Sequence, residues 1–425
     1  MRSLDVTIVG AGPAGLGMAL TLLPLPGLHW GILERGQAGE SFRRWPRQTR
    51  FITPSFHSNP FGLADLNAIS PYSSLARFTG TEHPSGAQYA DYLQAITEGQ
   101  QLPLVPQCSV EQVIPAPGDG FLLYTSQGEL HTRFLIWATG EYQFPDLSAF
   151  PGADLCRHYA QVSDWTQLAT CDDAVIAHDA AITDRMASTD DVTAIDGDAA
   201  TGRRVPAGSA SARHAAASST AAPCDHTVIG GYESGIDAAI QLVRLGRRVR
   251  LLCRGATWGH DSAPDPSLSL SPFTHERLRQ ALATGWLDIV YGVDVMAVTN
   301  NGHCCRIHAA DGRYWDTLTP PVLGTGFQKG GGARQIADLW EWRDDGHLAL
   351  SSLDESTVYP GLFLVGPQVR HDERIYCFIY KFRQRFGLIA REITRRLDID
   401  ASALETPPGN WGPFGNSDCC EGCEC

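Results

Sequence analysis

The sequence predicts an α/β protein with two doubly wound units, the first split around the second. Three observations predict it: a strand, glycine turn and helix at the start of the chain, a second copy of that arrangement after residue 226, and strand-turn segments that return near the C-terminus. Residues 4 to 9, Leu-Asp-Val-Thr-Ile-Val, are rich in β-branched side chains and run straight into Gly10-Ala-Gly12-Pro-Ala-Gly15. The apolar run Leu16 to Leu23 then reads as a helix, stopped by the prolines at 24 and 26. A second strand, Leu28 to Leu33, ends in Glu34, 19 residues after Gly15. That spacing is a dinucleotide fingerprint. Gly10 makes the turn, Gly12 admits a pyrophosphate, Gly15 lets helix pack on strand, and Glu34 accepts from a ribose hydroxyl.

The pattern recurs where Thr227-Val-Ile leads into Gly230-Gly-Tyr-Glu-Ser234-Gly235, with Ile236, Ala239, Ile240 and Val243 marking one helical face that ends at Gly246. Tyr232 takes the place of the middle glycine. The next strand, Arg247 to Cys253, ends in Arg254, where a cation suits a 2′-phosphate and favours NADP over NAD. Two nucleotide sites in one chain imply electron transfer between two cofactors. Phe134 to Gly140, carrying Thr139 and Gly140, and Val322 to Gly326 each read as strand and glycine turn. Gly361 to Gly366 is a third, before a long amphipathic helix expected over Ile375 to Leu397.

Composition sets the bounds. The 425 residues carry 33 Lys and Arg against 47 Asp and Glu, a net charge of −14 that argues against a non-specific nucleic-acid binder. No run of eighteen apolar residues exists, so no membrane span is expected. The apolar stretch Leu4 to Leu23 is read as folded structure rather than a signal peptide. Twelve cysteines without a secretion signal point to a reducing, cytoplasmic setting. Within Ala199 to Ala222, 18 of 24 residues are Ala, Gly, Ser or Thr, too little apolar surface to offset ordering entropy. Residues 172–224 are therefore expected to be a disordered insertion, entering at the amino end of a strand and away from the nucleotides.

With these segments in hand, residues 1 to 397, apart from the insertion, resemble flavoproteins with two dinucleotide-binding domains, most of all the flavin-containing (class B) monooxygenases and the bacilliredoxin reductases. The resemblance implies FAD on the first fingerprint and NADPH on the second. Chain order and composition predict a split FAD domain at 1–160 and 321–400, an NADP domain at 161–320 with the insertion inside it, and a flexible Cys-rich tail at 401–425. Glu40-Ser-Phe-Arg43-Arg44-Trp45-Pro46 is similar to the segment that both branches run past the flavin ring, which places Arg43, Arg44 and Trp45 near the isoalloxazine. His158 follows Gly152 by six residues rather than the monooxygenase spacing of four, and His158-Tyr159 looks like the reductase branch. Gly366 is followed by Pro367 where the superfamily often has Asp, so the ribityl contacts are left open.

No CxxC stands in either nucleotide unit. Cys108, Cys156, Cys253 and Cys377 lie in or beside apolar segments and read as core residues. The vicinal Cys304 and Cys305 should point to opposite faces of a strand. The tail differs: Cys419, Cys420, Cys423 and Cys425 end the chain after a Pro/Gly/Asn-rich linker. Counted from Leu397, that arm reaches roughly 75 Å to Cys420. Such thiols exchange with disulfides or bind soft metals, and relay, metal trap and passive tail stay open. The expected activity is NADPH oxidation coupled to reduction of a disulfide or thiol-ligated acceptor. The alternatives are a monooxygenase acting on a soft nucleophile and a non-enzymatic redox or soft-metal sensor. Expected partners are a small-molecule or protein disulfide, a soft metal ion at the tail and a second copy of the chain as homodimer; nucleic acid and membrane are not expected.

Overall fold

A computed structural model of the chain describes residues 2–57, 64–116, 118, 120–171, 225–255 and 265–411. The insertion expected at 172–224 and the tail cysteines Cys419, Cys420, Cys423 and Cys425 lie outside the described residues. The first unit opens with β1 (Arg2–Val9), α1 (Pro13–Leu22), β2 (Trp30–Leu33), α2 (Glu40–Arg43), α3 (Leu75–Thr79) and α4 (Gly86–Gly99). It continues through β3 (Leu104–Val105), β4 (Val110–Ala116), β5 (Gly120–Thr125) and β6 (Gly128–Trp137). The strands form one sheet in the order β3-β2-β1-β6-β5-β4. Its centre is parallel and apolar: Ile8 stands opposite Ile32 on one side and Ile136 on the other, and all three are buried completely. Each such side chain contributes about 2 kcal/mol by leaving water.

The chain then changes sheet. β7 (Arg157–His158), α5 (Trp165–Cys171), β8 (His226–Ile229), α6 (Glu233–Arg244), β9 (Val249–Leu252), α7 (Pro272–Ala283) and β10 (Leu287–Val290) follow. β11 (Val295–Asn300), β12 (Cys305–Ala309) and β13 (Tyr314–Thr317) make an antiparallel layer before β14 (Val322–Leu323). The second sheet runs β10-β9-β8-β14-β7, parallel throughout. Helix α6 lays Ile236, Ala239 and Ile240 on it, all with no exposure, which is the periodicity read from the sequence. Because β7 pairs with β14, residues 157–158 already belong to the second sheet, short of the boundary expected at 160.

The chain returns to the first sheet after the small hairpin β15 (Glu341–Trp342) and β16 (Leu348–Ala349), when β17 (Leu362–Leu364) pairs with β6 and sets Phe363 opposite Ile136. The long helix expected from Ile375 begins later. Arg370–His371 (β18) and Arg374–Ile375 (β19) form a hairpin, and helix appears as α8 (Ile379–Phe382), a 3-10 turn at Arg383–Arg385, and α9 (Phe386–Leu397). Ile375 is held in the hairpin by its pairing to Arg370, so apolar periodicity alone extended the helix too far.

The tail also starts later than expected. Arg391 donates to the Leu404 carbonyl at 2.9 Å, and a Cβ on Gly387 would collide with the Gly409 carbonyl oxygen. Trp411 lies with its ring 4.2 Å from the Arg383 guanidinium. Packing thus continues to Trp411, and only eight residues separate it from Cys419, about 26 Å when extended.

Candidate active site

Both units open onto one cavity of about 530 Å³, walled by Gly10 and Gly12 from the first fingerprint and by Tyr232, Glu233 and Ser234 from the second. The turn at Gly10 has φ +108°, and a Cβ there would stand 2.5 Å from the Ala138 carbonyl oxygen. A Cβ on Gly15 would collide with the Gly10 carbonyl oxygen, so helix α1 and strand β1 pack too closely for any side chain. Gly12 is the opposite case: nothing lies within 4 Å of the place a Cβ would take. Gly12 is also the N-cap of α1, with no side-chain cap and no acid in the first turn, so the helix presents open N–H groups to an anion. Buried Glu34 accepts from the N–H of Ala11 and of Gly36, each at 2.7 Å. Each oxygen keeps a lone pair for a hydroxyl. Cradle and carboxylate fit an FAD pyrophosphate and ribose.

Thr139 and Gly140 line the cavity where β6 ends, and the buried Thr139 hydroxyl has no hydrogen-bond partner among the described residues. Such an orphan calls for a ligand or water. Gly366, at φ +106°, follows β17 beside Ala14, and Pro367 reaches the cavity wall without an N–H to offer. Phe42, Trp45 and Phe51 form an aromatic wall, with Trp45 5.0 Å from each of the other two ring centroids. Arg43 and Arg44 do not share it. Phe42 of α2 and Trp45 just after it face the cavity, while the exposed Arg43 pairs with Asp91 at 3.0 Å and the exposed Arg44 with Glu40 at 3.1 Å. The guanidinium groups that do line the cavity are Arg35 and Arg50 in this unit. Arg35 had a signal, since it follows Glu34 at the strand end; Arg50 had none.

Between the units sits a buried polar hub. Asp237 of α6 accepts from Arg277 at 2.6 Å and Gln241 at 3.2 Å on one oxygen, and from Tyr159 at 2.7 Å and Thr49 at 3.1 Å on the other. Arg277 and Asp237 have side chains only 6% and 8% exposed, so the charges compensate each other out of water. Tyr142, whose buried hydroxyl has no partner among the described residues, lines the same cavity. Burial, and then the Asp237 charge, push its pKa up and keep it a donor. His158 donates from Nε2 to the Gly326 carbonyl at 2.9 Å and accepts the Ala160 N–H on Nδ1. Burial lowers its pKa, so it stays neutral.

At the second fingerprint Gly230 turns at φ +111°, and a Cβ on Gly230 or Gly235 would strike the Gly324 or Gly230 carbonyl oxygen, as in a nucleotide turn. Arg254 is exposed just past β9 and lies outside the cavity wall. Cys253 is buried, as expected of a core thiol. Cys377, in contrast, lines the cavity with Cys108. Burial pushes the Cys377 thiol up, against a hydrogen bond from Ser267 and the charge of Lys381.

Two sheets with parallel centres, two fingerprint turns opening on one cavity and a buried carboxylate beside the first turn define a flavin-dependent oxidoreductase that uses two nucleotides. The chain belongs to the pyridine nucleotide-disulphide oxidoreductase family, whose profile matches residues 7–209 and 206–366. That family uses FAD and NADPH. The chain is similar to a bacilliredoxin reductase of Bacillus subtilis, 22% identical over 296 residues, which span 69% of this chain and 68% of that one. Among solved structures, the bacillithiol disulfide reductase of Staphylococcus aureus superposes with TM-score 0.64 at 18% identity, covering 93% of this chain and 99% of that one. A flavin-containing monooxygenase of Stenotrophomonas maltophilia does so with TM-score 0.62 at 16%, covering 93% and 100%. These likenesses show the fold. Among the described residues no helix is long and apolar enough to cross a membrane.

Proposed function

We propose that the protein reduces a disulfide-type acceptor with electrons from NADPH, and that its C-terminal cysteines carry them outward. In this reading Gly10, Gly12, Gly15, Glu34, Thr139, Gly140 and Gly366 hold FAD, and Gly230, Ser234, Gly235 and Arg254 hold NADPH. Bound FAD supplies the exchange of a hydride for two electrons. Phe42, Trp45 and Phe51 give the cavity an apolar face, and Tyr142 offers a protonated hydroxyl within it.

The observation that carries the proposal is where Trp411, eight positions before the tail cysteines begin, is packed. Trp411 packs on Arg383, the residue after Phe382, and Phe382 is part of the cavity wall. Two electrons and two protons convert a Cys420–Cys423 disulfide to a dithiol. One thiolate then attacks the acceptor disulfide, and the second thiol resolves the mixed disulfide, releasing the acceptor as two thiols and restoring the tail disulfide. A chain ending at Ser417 tests this. It should keep its flavin and its slow NADPH oxidase activity and lose disulfide reductase activity. Undiminished reductase activity would refute the relay. Oxygen uptake matched to NADPH and an oxygenated product would assign the monooxygenase chemistry instead.

A further inference from the structure

The anion-binding end of the second fingerprint is occupied by the chain itself. Tyr232, standing in place of the middle glycine, directs its hydroxyl at the carbonyl oxygens of Ser267, 2.6 Å away, and Ser269, 2.7 Å away. Glu233 accepts from the Ser271 N–H at 2.6 Å and the Thr274 hydroxyl at 2.7 Å. The strap of residues 265–271 is thus fastened to the first turn of α6, the end where a helix attracts anions. Two carbonyl oxygens and a carboxylate gather there. Their sign is wrong for a pyrophosphate, although the Gly230 and Gly235 turn has the right shape. The other end of the strap is held by the FAD unit. Lys381 donates to both oxygens of Asp265 at 2.7 Å, and the Ile375 N–H reaches the same carboxylate at 3.4 Å. The Lys381 and Asp265 side chains are 17% and 10% exposed, so salt screens them little.

We propose that the strap is a gate on the pyridine-nucleotide site, held shut by the Lys381–Asp265 pair, with Lys381 a positioning residue that touches no reacting atom. The inference rests on reading the second fingerprint as that site. Nucleotide binds the open state alone, so its apparent affinity is the intrinsic affinity multiplied by the open fraction. Among the described residues, loss of the ammonium leaves the Asp265 carboxylate with its bonds to Ser267 and Ile375 alone, and it raises the open fraction. A loosened variant therefore binds better, the reverse of what general damage does.

The test is titration calorimetry of the oxidised holoenzyme with NADP⁺, which has no hydride to give, using wild type, Lys381→Met and Lys381→Arg. Lys381→Met should bind roughly tenfold tighter, the lower end of what a charge-assisted hydrogen bond contributes. Lys381→Arg keeps the pair and should match wild type. Unchanged or weaker binding by Lys381→Met overturns the gate. Should that protein not fold, Asp265→Asn removes the charge at nearly constant shape, is expected to tighten binding as well, and overturns the gate by the same failure. Absence of NADP⁺ binding in every protein, wild type included, overturns the gate together with the site reading beneath it, which tells the two failures apart.

Discussion

Replacing Gly12 by alanine separates the cofactor cradle from the fold that carries it. Gly12 has φ −82° and ψ −174°, an extended backbone that any residue adopts, and a Cβ there meets no protein atom within 4 Å. Glycine to alanine in a compatible conformation stabilises by about 0.4 to 1 kcal/mol through the unfolded chain, and the poorer helix cap offsets a similar amount. The flavin-free protein should thus stay within roughly 1 kcal/mol of wild type. FAD is affected more, because the methyl fills the space above the helix N-terminus where the pyrophosphate fits. An added carbon in a filled site costs about 1 to 3 kcal/mol, or roughly 5- to 150-fold in Kd. Gly15 is the counterpart, since its Cβ would strike the Gly10 carbonyl oxygen and push α1 off the sheet. Melting of the flavin-stripped proteins, with titration of FAD by fluorescence quenching, reads both quantities. Gly12→Ala should melt near wild type and bind FAD weakly, whereas Gly15→Ala should melt far lower. A Gly12→Ala protein with wild-type FAD affinity would refute the assignment of that space to the pyrophosphate.

Three further outcomes follow from the site. Arg254→Ala should raise the KM for NADPH roughly tenfold or more and leave NADH nearly unchanged; equal losses for both in steady-state kinetics would contradict a 2′-phosphate contact. Asp237→Ala strands the buried Arg277 charge and should cost about 3 to 5 kcal/mol by urea unfolding. Adding Arg277→Met should recover much of that loss, and a loss below about 1 kcal/mol in the single variant would contradict the buried hub. Because burial raises the Cys377 thiol above its ordinary value of 9.0, its thiolate fraction at neutral pH falls. Labelling by iodoacetamide, followed by mass spectrometry of the peptide, should therefore be slow at pH 7 and accelerate beyond the usual thiol range. Rapid labelling at pH 7 would contradict this.

What could be read from sequence was what nearby residues decide. Gly10, Gly15, Gly230 and Gly235 sit in turns whose sterics are set within a few positions, and Glu34 ends a strand that needs no distant partner to be recognised. The outward turn of Arg43 and Arg44 was hidden because α2 has only four residues, too few for a periodicity to mark its inner face. The hub was hidden for another reason: Thr49 and Asp237 are 188 positions apart, and each is an ordinary polar residue in its own segment. Lys381 pairs with Asp265 over 116 positions, and no local pattern announces such a meeting. Cys377 looked like a core thiol because its apolar neighbours Phe378 and Ile379 are themselves cavity wall. Trp411 was assigned to a linker on composition, which does not register a ring stacked on a distant arginine.

The late pairing of β17 has a consequence for how the protein is made. The C-terminal half of β6, Leu135 to Trp137, pairs with β1 on one side but gains its neighbour on the other only when residues 362–364 arrive, more than two hundred positions later. Until then a growing chain displays an unpaired apolar strand edge, the kind of surface on which chains associate wrongly. Pro367 comes later still, so the cavity has no complete wall while the second unit is being synthesised. In the proposed reading flavin loading waits for that wall, and yellow colour should mark only chains that have passed this point. Premature termination before residue 366 yields colourless, association-prone fragments, whereas loss of residues beyond Trp411 leaves the β17 pairing and the cavity wall in place.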